Sequence, residues 1–174
     1  RSSTGSAGDA TRTAVSPPAP RPDENRQGVT IEMKMIKELL EKKDRDIWSI
    51  GPDDTVYDAL KLMAQKDIGS LVVLSEGKLV GLVSERDYAR HVALQGRSSR
   101  DTPVWEIMEK RPVCVTPEQS VEDAMALMTE KRSRHLPVIS GGKLVGVISI
   151  GDLVKAIISD QQYIIEQLEN YIVG

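Results

Sequence analysis

The stretches 77-GKLVGLVSERD-87 and 142-GKLVGVISIGD-152 decide how this chain folds. Each is glycine, an apolar run, a serine, two variable residues and an aspartate, and the second lies 65 positions after the first. Working outward at that shift, residues 50–88 align with 115–153 without a gap. Identical pairs include Pro52/Pro117, Asp58/Asp123, Ala59/Ala124, Met63/Met128, Leu71/Leu136 and Val73/Val138. A match this long without gaps is an internal duplication.

Each repeat reads in the same order. A short strand (47–50, 113–115) enters "GPDDTV" or "TPEQSV", where proline, an acid and a hydroxyl residue mark a helix start. Apolar residues then recur at helical spacing, at Val56, Ala59, Leu60 and Met63 and at Val121, Ala124, Met125 and Met128. Two β-branched strands follow, 71–74 and 79–83, and in the second repeat 136–139 and 144–148. They are joined by the glycine turns "SEGK" and "SGGK". A closing helix is predicted over 85–94 and 150–168. The fold class is therefore α/β (α+β), with the order β-α-β-β-α twice. About 40 ordered residues is near the lower limit for folding alone, so the two repeats should pack into one body.

Residues 97–112 link the repeats, with a helical turn expected at "VWEIM". Helix 32–43 has Met35, Ile36, Leu39 and Leu40 on one side and should cap the pair. The last helix carries Ile157, Ile158, Ile164, Ile165, Leu168 and Ile172, a stripe expected to pack on helix 32–43 or on a second subunit. Residues 1–29 are rich in Ser, Thr, Ala, Pro and Arg without periodicity. They read as a disordered tail, either a plain linker or a transit-peptide remnant.

Composition narrows the function. The chain has 174 residues, 40% hydrophobic and 3% aromatic, and a formal net charge of −3. That balance offers no basic footprint for nucleic acid or an anionic membrane. No apolar run approaches the roughly 20 residues of a membrane-spanning helix. One cysteine, Cys114, excludes an internal disulfide and fits a reducing compartment, read as cytoplasmic with the mitochondrial or plastid matrix as alternative. Cys114 lies in an apolar run and reads as a core residue. Two histidines and one cysteine show no metal constellation. No catalytic residue is assigned: His135 lacks a nucleophile elbow or triad order around it, His91 reads as exposed, and the Ser-x-x-Lys matches fall on hairpin turns.

The duplicated pattern, with "GKLVGLVSERDY", "RHLPVI" and "GKLVGVISIGDL", resembles a tandem pair of CBS domains, the Bateman module. The resemblance covers roughly residues 32–170. It divides the chain into the tail 1–29, the leading helix plus CBS motif 1 over 30–96, and linker, CBS motif 2 and long final helix over 97–174. It implies that the motifs pack pseudo-symmetrically and that the clefts between them bind an adenosine nucleotide. AMP or ATP comes foremost, with ADP, NAD or S-adenosylmethionine as alternatives, in a regulatory module without catalytic activity. The implied partners are the nucleotide, a second copy in a homodimer, and an unidentified regulated protein. The alternative reading is an assembly scaffold with vestigial clefts.

Ser84-x-x-Asp87 and Ser149-x-x-Asp152 each follow a strand and open a helix, the signature of a capping box. A carboxylate there can also accept both vicinal hydroxyls of a ribose, and the resemblance assigns that role to Ser84, Asp87, Ser149 and Asp152. It implies that each cleft takes its Ser-x-x-Asp from one motif and its front wall from the other. Arg86 and Asp87 would then meet Thr116, Arg132, Arg134, His135, Leu136 and Pro137 in a basic, phosphate-binding cleft. Ser149 and Asp152 would meet Ile50 and the neutral Gly69-Ser70 turn in a less charged cleft.

Overall fold

The computed structural model describes residues 33–43 and 46–173; the tail 1–29 lies outside them. The elements are α1 (Ile36–Lys42), β1 (Ser49–Ile50), α2 (Val56–Lys66), β2 (Ser70–Ser75), β3 (Lys78–Ser84), α3 (Glu85–Tyr88), α4 (Val121–Lys131), β4 (His135–Ser140), β5 (Lys143–Ser149) and α5 (Ile150–Val173). The fold is a mixed α+β arrangement, as expected.

In the first repeat β1 runs parallel to β2 (Ile50 opposite Val73), and β2 pairs antiparallel with β3 (Ser70 opposite Ser84). In the second, β4 and β5 repeat the hairpin (His135 opposite Ser149). Both hairpins close with consecutive left-handed residues, Glu76–Gly77 (φ 50° and 75°) and Gly141–Gly142 (φ 57° and 77°), which suits the twist of the strands. The expected strand 113–115 shrinks to one bridge, Val115 opposite Val138. Pro137 stands where Val72 stands in the first repeat and has no N–H to give to the ladder. The closing helix of the first repeat is α only to Tyr88; Ala89–Ala93 form a wider π turn that carries Val92 into the core.

Each repeat owns a core, and each core is completed by a segment from elsewhere in the chain. Val56, Ala59, Met63, Leu71, Val73 and Val83 enclose Val104 and Ile107 of the linker, where Val104–Glu106 form a single 3₁₀ turn. Val121, Ala124, Met128, Leu136, Val138 and Ile148 enclose Ile36 of α1. The leader of repeat one thus docks on repeat two, and the leader of repeat two docks on repeat one. The main-chain bonds where each leader meets the start of the opposite repeat's first helix match pair for pair. Val121 N–H donates to Lys34 O (2.9 Å) as Val56 N–H does to Thr102 O (2.9 Å). Ile36 N–H donates to Gln119 O (2.9 Å) as Val104 N–H does to Asp54 O (2.8 Å).

The helix expected over 32–43 to cap the pair is helical over Ile36–Lys42 and packs into the core of repeat two alone. The inner face of α5, Leu153, Ala156 and Ile157, joins the core that holds Ile36, and Lys34 Nζ donates to Asp160 at 3.1 Å. Further along, Ile165, Leu168 and Ile172 are exposed.

Candidate functional site: two clefts between the repeats

Ser-x-x-Asp is a capping box in both repeats. Ser84 N–H donates to Asp87 Oδ2 (2.8 Å), and Asp87 N–H donates back to Ser84 Oγ (3.2 Å). Ser149 and Asp152 repeat both distances, 2.8 and 3.2 Å. The main chain inside each box is held alike, Glu85 N–H on Gly69 O and Ile150 N–H on Arg134 O. Each carboxylate therefore sits fixed at the end of a hairpin strand, facing the other repeat.

The first cleft holds about 300 Å³ and brings Ser84, Arg86 and Asp87 together with Arg132, Arg134 and His135, as the sequence reading expected. Arg86 Nη1 donates to Arg132 O at 3.1 Å, a direct tie across the repeats. Lys131 and Arg90 add two cations, of which only Arg90 lies outside the basic run of residues 131–135, giving five against the carboxylates of Glu85, Asp87 and Glu109. Burial raises the pKa of Glu109 above its ordinary value, and the negative charge of Asp87 adds to the shift. Among the described residues no cationic side chain forms an ion pair with Asp87.

The second cleft is larger, about 830 Å³, and brings Ser149 and Asp152 to Gly69 and Ser70. It is not neutral. Lys37 and Lys43 face Glu41, Asp46, Asp67 and Asp152, so its balance is acidic where the first is basic. Lys43 Nζ donates to Asp152 Oδ2 at 2.7 Å and to Val147 O at 3.0 Å. Burial pushes the Asp152 pKa up, but the Lys43 ammonium and the Ser149 hydrogen bonds outweigh it and hold the group below its ordinary value. Trp48 also lines this cleft, with the Lys66 ammonium 3.8 Å from its ring centroid.

His135 borders both clefts, beside Gly69, where a Cβ would lie 3.7 Å from the imidazole. Burial lowers its pKa, Lys43 and Arg134 lower it further, and Asp152 opposes them. Four expected residues lie elsewhere. Thr116 is exposed on a turn, its N–H given to Gln119 Oε1 (2.8 Å); its neighbour Pro117 borders the second cleft instead. Ile50 packs on the core of repeat one, and Ile47 and Trp48 take its place at the second cleft. Leu136 is buried in the core of repeat two, and the neighbouring Pro137 is buried as well, its carbonyl accepting Val115 N–H (3.0 Å).

A signal for Lys43 and Glu109 is present in the sequence at a different shift. Displaced by 68, "IKELLEKK" (36–43) aligns with "VWEIMEKR" (104–111), matching Glu41 to Glu109 and Lys43 to Arg111. Three fewer residues separate leader from repeat in the second copy, so the gapless 65-residue comparison misses it.

Duplicated hairpin repeats that exchange leaders and enclose two clefts edged by capped aspartates define a paired-motif module. The CBS domain profile matches residues 36–94 and 104–159, and the chain belongs to the CBS domain family, one of regulatory, often nucleotide-binding modules. The mitochondrial CBS domain-containing protein CBSX3 of Arabidopsis thaliana is 46% identical over 127 residues, which are 70% of this chain and 62% of that protein. The structure of a protein with CBS domains from Burkholderia ambifaria is 53% identical with a TM-score of 0.72, covering 74% of this chain and 96% of that one. A hexameric CBS-CP12 protein from bloom-forming cyanobacteria is 34% identical with a TM-score of 0.64, covering 71% of each chain. Among the described residues no helix is long and apolar enough to cross a membrane, and no group of His, Cys, Asp or Glu is arranged to hold a metal ion.

Proposed function

We propose that this chain is a non-catalytic sensor that binds an adenosine nucleotide between its repeats and passes the change in their packing to a partner protein. One observation carries the reading: a capped, cation-free Asp87 from repeat one faces the Arg132–Arg134 edge of repeat two across a cleft. Asp87 accepts the ribose hydroxyls and Arg86, Arg132 and Arg134 hold the phosphate, with AMP or ATP the expected ligand and NAD or S-adenosylmethionine the alternatives. Because residues of both repeats contact one ligand, binding favours the arrangement that brings them together. It shifts that equilibrium by the difference in affinity between the two arrangements. The molecule works as a homodimer in a compartment with reduced thiols, the cytoplasm or an organelle matrix.

The test is thermal unfolding with AMP, ATP, NAD, S-adenosylmethionine and adenosine, for wild type and Asp87→Ala. At a ligand concentration 100 times Kd, linkage supplies about 2.7 kcal/mol of stabilisation, a shift of several degrees. A shift lost in the variant supports the sensor. No shift with any of the five turns the reading to the scaffold, which the exposed Ile165, Leu168 and Ile172 on α5 favour independently.

A further inference from the structure

The two clefts differ in one contact that their shared ancestry does not require. In repeat one, the strand carbonyl ahead of the capping box, Leu82 O, accepts the main-chain N–H of Glu109 at 2.8 Å. In repeat two the corresponding carbonyl, Val147 O, accepts the Lys43 ammonium instead, and the same ammonium reaches Asp152 Oδ2. Arg111 stands at the position equivalent to Lys43, yet among the described residues no ion pair joins it to Asp87. The tie in repeat one is part of a main-chain bridge and leaves Asp87 to its own capping serine, whose hydroxyl donates to Oδ2 at 2.7 Å. The tie in repeat two is a side chain on a flexible stem, and it occupies Oδ2 of the carboxylate.

We propose that Lys43 is a tethered occupant of the second cleft, so that this cleft takes a nucleoside only by exchanging its own lysine for the ligand hydroxyls at Asp152. The proposal rests on reading Asp152 as a ribose-binding group. A ribose that engages both carboxylate oxygens brings one hydroxyl to Oδ2, which already accepts the Ser149 N–H and the Lys43 ammonium, so that hydroxyl and the ammonium compete. The Lys43 side chain is 44% exposed and that of Asp152 25%, so water screens the pair and a ligand can displace it.

Displacement has a chemical consequence. Neutral adenosine satisfies Asp152 but leaves Lys43 without its anion. A ligand with a phosphate near the ribose offers the freed ammonium a new partner, and Lys37 on the same wall adds to it. The second cleft therefore prefers phosphorylated adenosine to adenosine by more than its acidic lining suggests, and Lys43 sets that preference. Because Lys43 terminates the docked α1, filling the cleft also releases the end of that leader.

The experiment is titration calorimetry with adenosine and with AMP, in an Asp87→Ala background that silences the first cleft. Lys43→Met keeps the aliphatic stem, and Lys43→Gln is the second variant should the first fold poorly by circular dichroism. An exposed ion pair of this kind corresponds to about a fivefold effect. Adenosine should bind about fivefold more tightly once Lys43 is replaced, while AMP gains less or loses, so that the preference for AMP shrinks. Unchanged or weaker adenosine binding in both variants overturns the exchange. Absence of binding by either ligand, with and without Lys43, is a different result: the ribose reading of Asp152 then fails and the proposal falls with it.

Discussion

Replacing Gly81 or Gly146 by alanine, one at a time, adds the same methyl group to two identical "GKLVG" strings under different neighbours. Neither glycine has a positive φ, so alanine fits both backbones and gains about 0.4–1 kcal/mol by restricting the unfolded chain. At Gly146 the new Cβ would stand 2.5 Å from Leu40 Cδ2, the mobile end of a half-buried side chain, with the next atoms at 3.7 Å. Turning that leucine partly off its rotamer costs about 0.5–1.5 kcal/mol, so the net change runs from a gain of about 0.5 to a loss of about 1 kcal/mol. At Gly81 the Cβ would stand 2.5 Å from Met108 Sδ and 2.9 Å from Glu109 O. That oxygen accepts Leu82 N–H at 3.0 Å while Glu109 N–H donates to Leu82 O, so it can retreat only by breaking the bridge. Overpacking against main chain belongs at the top of the usual 1–3 kcal/mol range. After the unfolded-state gain, Gly81→Ala should cost about 2 kcal/mol, or roughly 4–8 °C in Tm for a chain of this size. Urea unfolding followed by far-ultraviolet circular dichroism on both variants measures the difference. Equal losses, or a larger loss at Gly146, would show that the leader and linker do not press on the strands as described.

Two further outcomes follow from the same geometry. His135 has a folded-state pKa below its unfolded value, so the unfolded chain binds the extra proton first. Stability should fall as pH drops through about 6.5, at no more than about 1.4 kcal/mol per pH unit, and His135→Gln should flatten that part of a pH-stability curve. Ser120 is buried and caps α4 by accepting Asp123 N–H at 3.0 Å. Ser120→Ala should cost about 1 kcal/mol in denaturant unfolding, with Ser120→Thr retaining most of it; a loss near zero would mean that the cap is not needed.

The elements that reasoning from sequence located are those whose signals are local. Strand alternation, turn glycines and capping boxes sit within ten residues of one another, and duplication doubled each signal. Pro137 shows where local reading stops: the apolar run at 113–115 is a good strand candidate, and only its partner across the sheet lacks the N–H to pair with it. The clefts divide in the same way. Arg86, Asp87, Arg134 and His135 come together because they lie at hairpin ends that the repeat order already sets side by side. Lys43 and Glu109 come from leaders whose destination is the opposite repeat, and Trp48 from the approach to β1. Nothing in their immediate neighbours indicates such a destination.

The exchanged leaders also bear on what can be cut from this chain. A fragment ending at residue 96 carries α1 but not the residues α1 covers, and it lacks Val104 and Ile107, which close its own core. The arrangement is that of an arm-swapped dimer written on a single polypeptide: separate copies of one repeat would have to trade arms to finish either. Pairings as distant as Met35 with Ser120 must form before either half is complete, so the two halves should gain and lose structure together. Half of this molecule is therefore not a smaller version of it but an unfinished one.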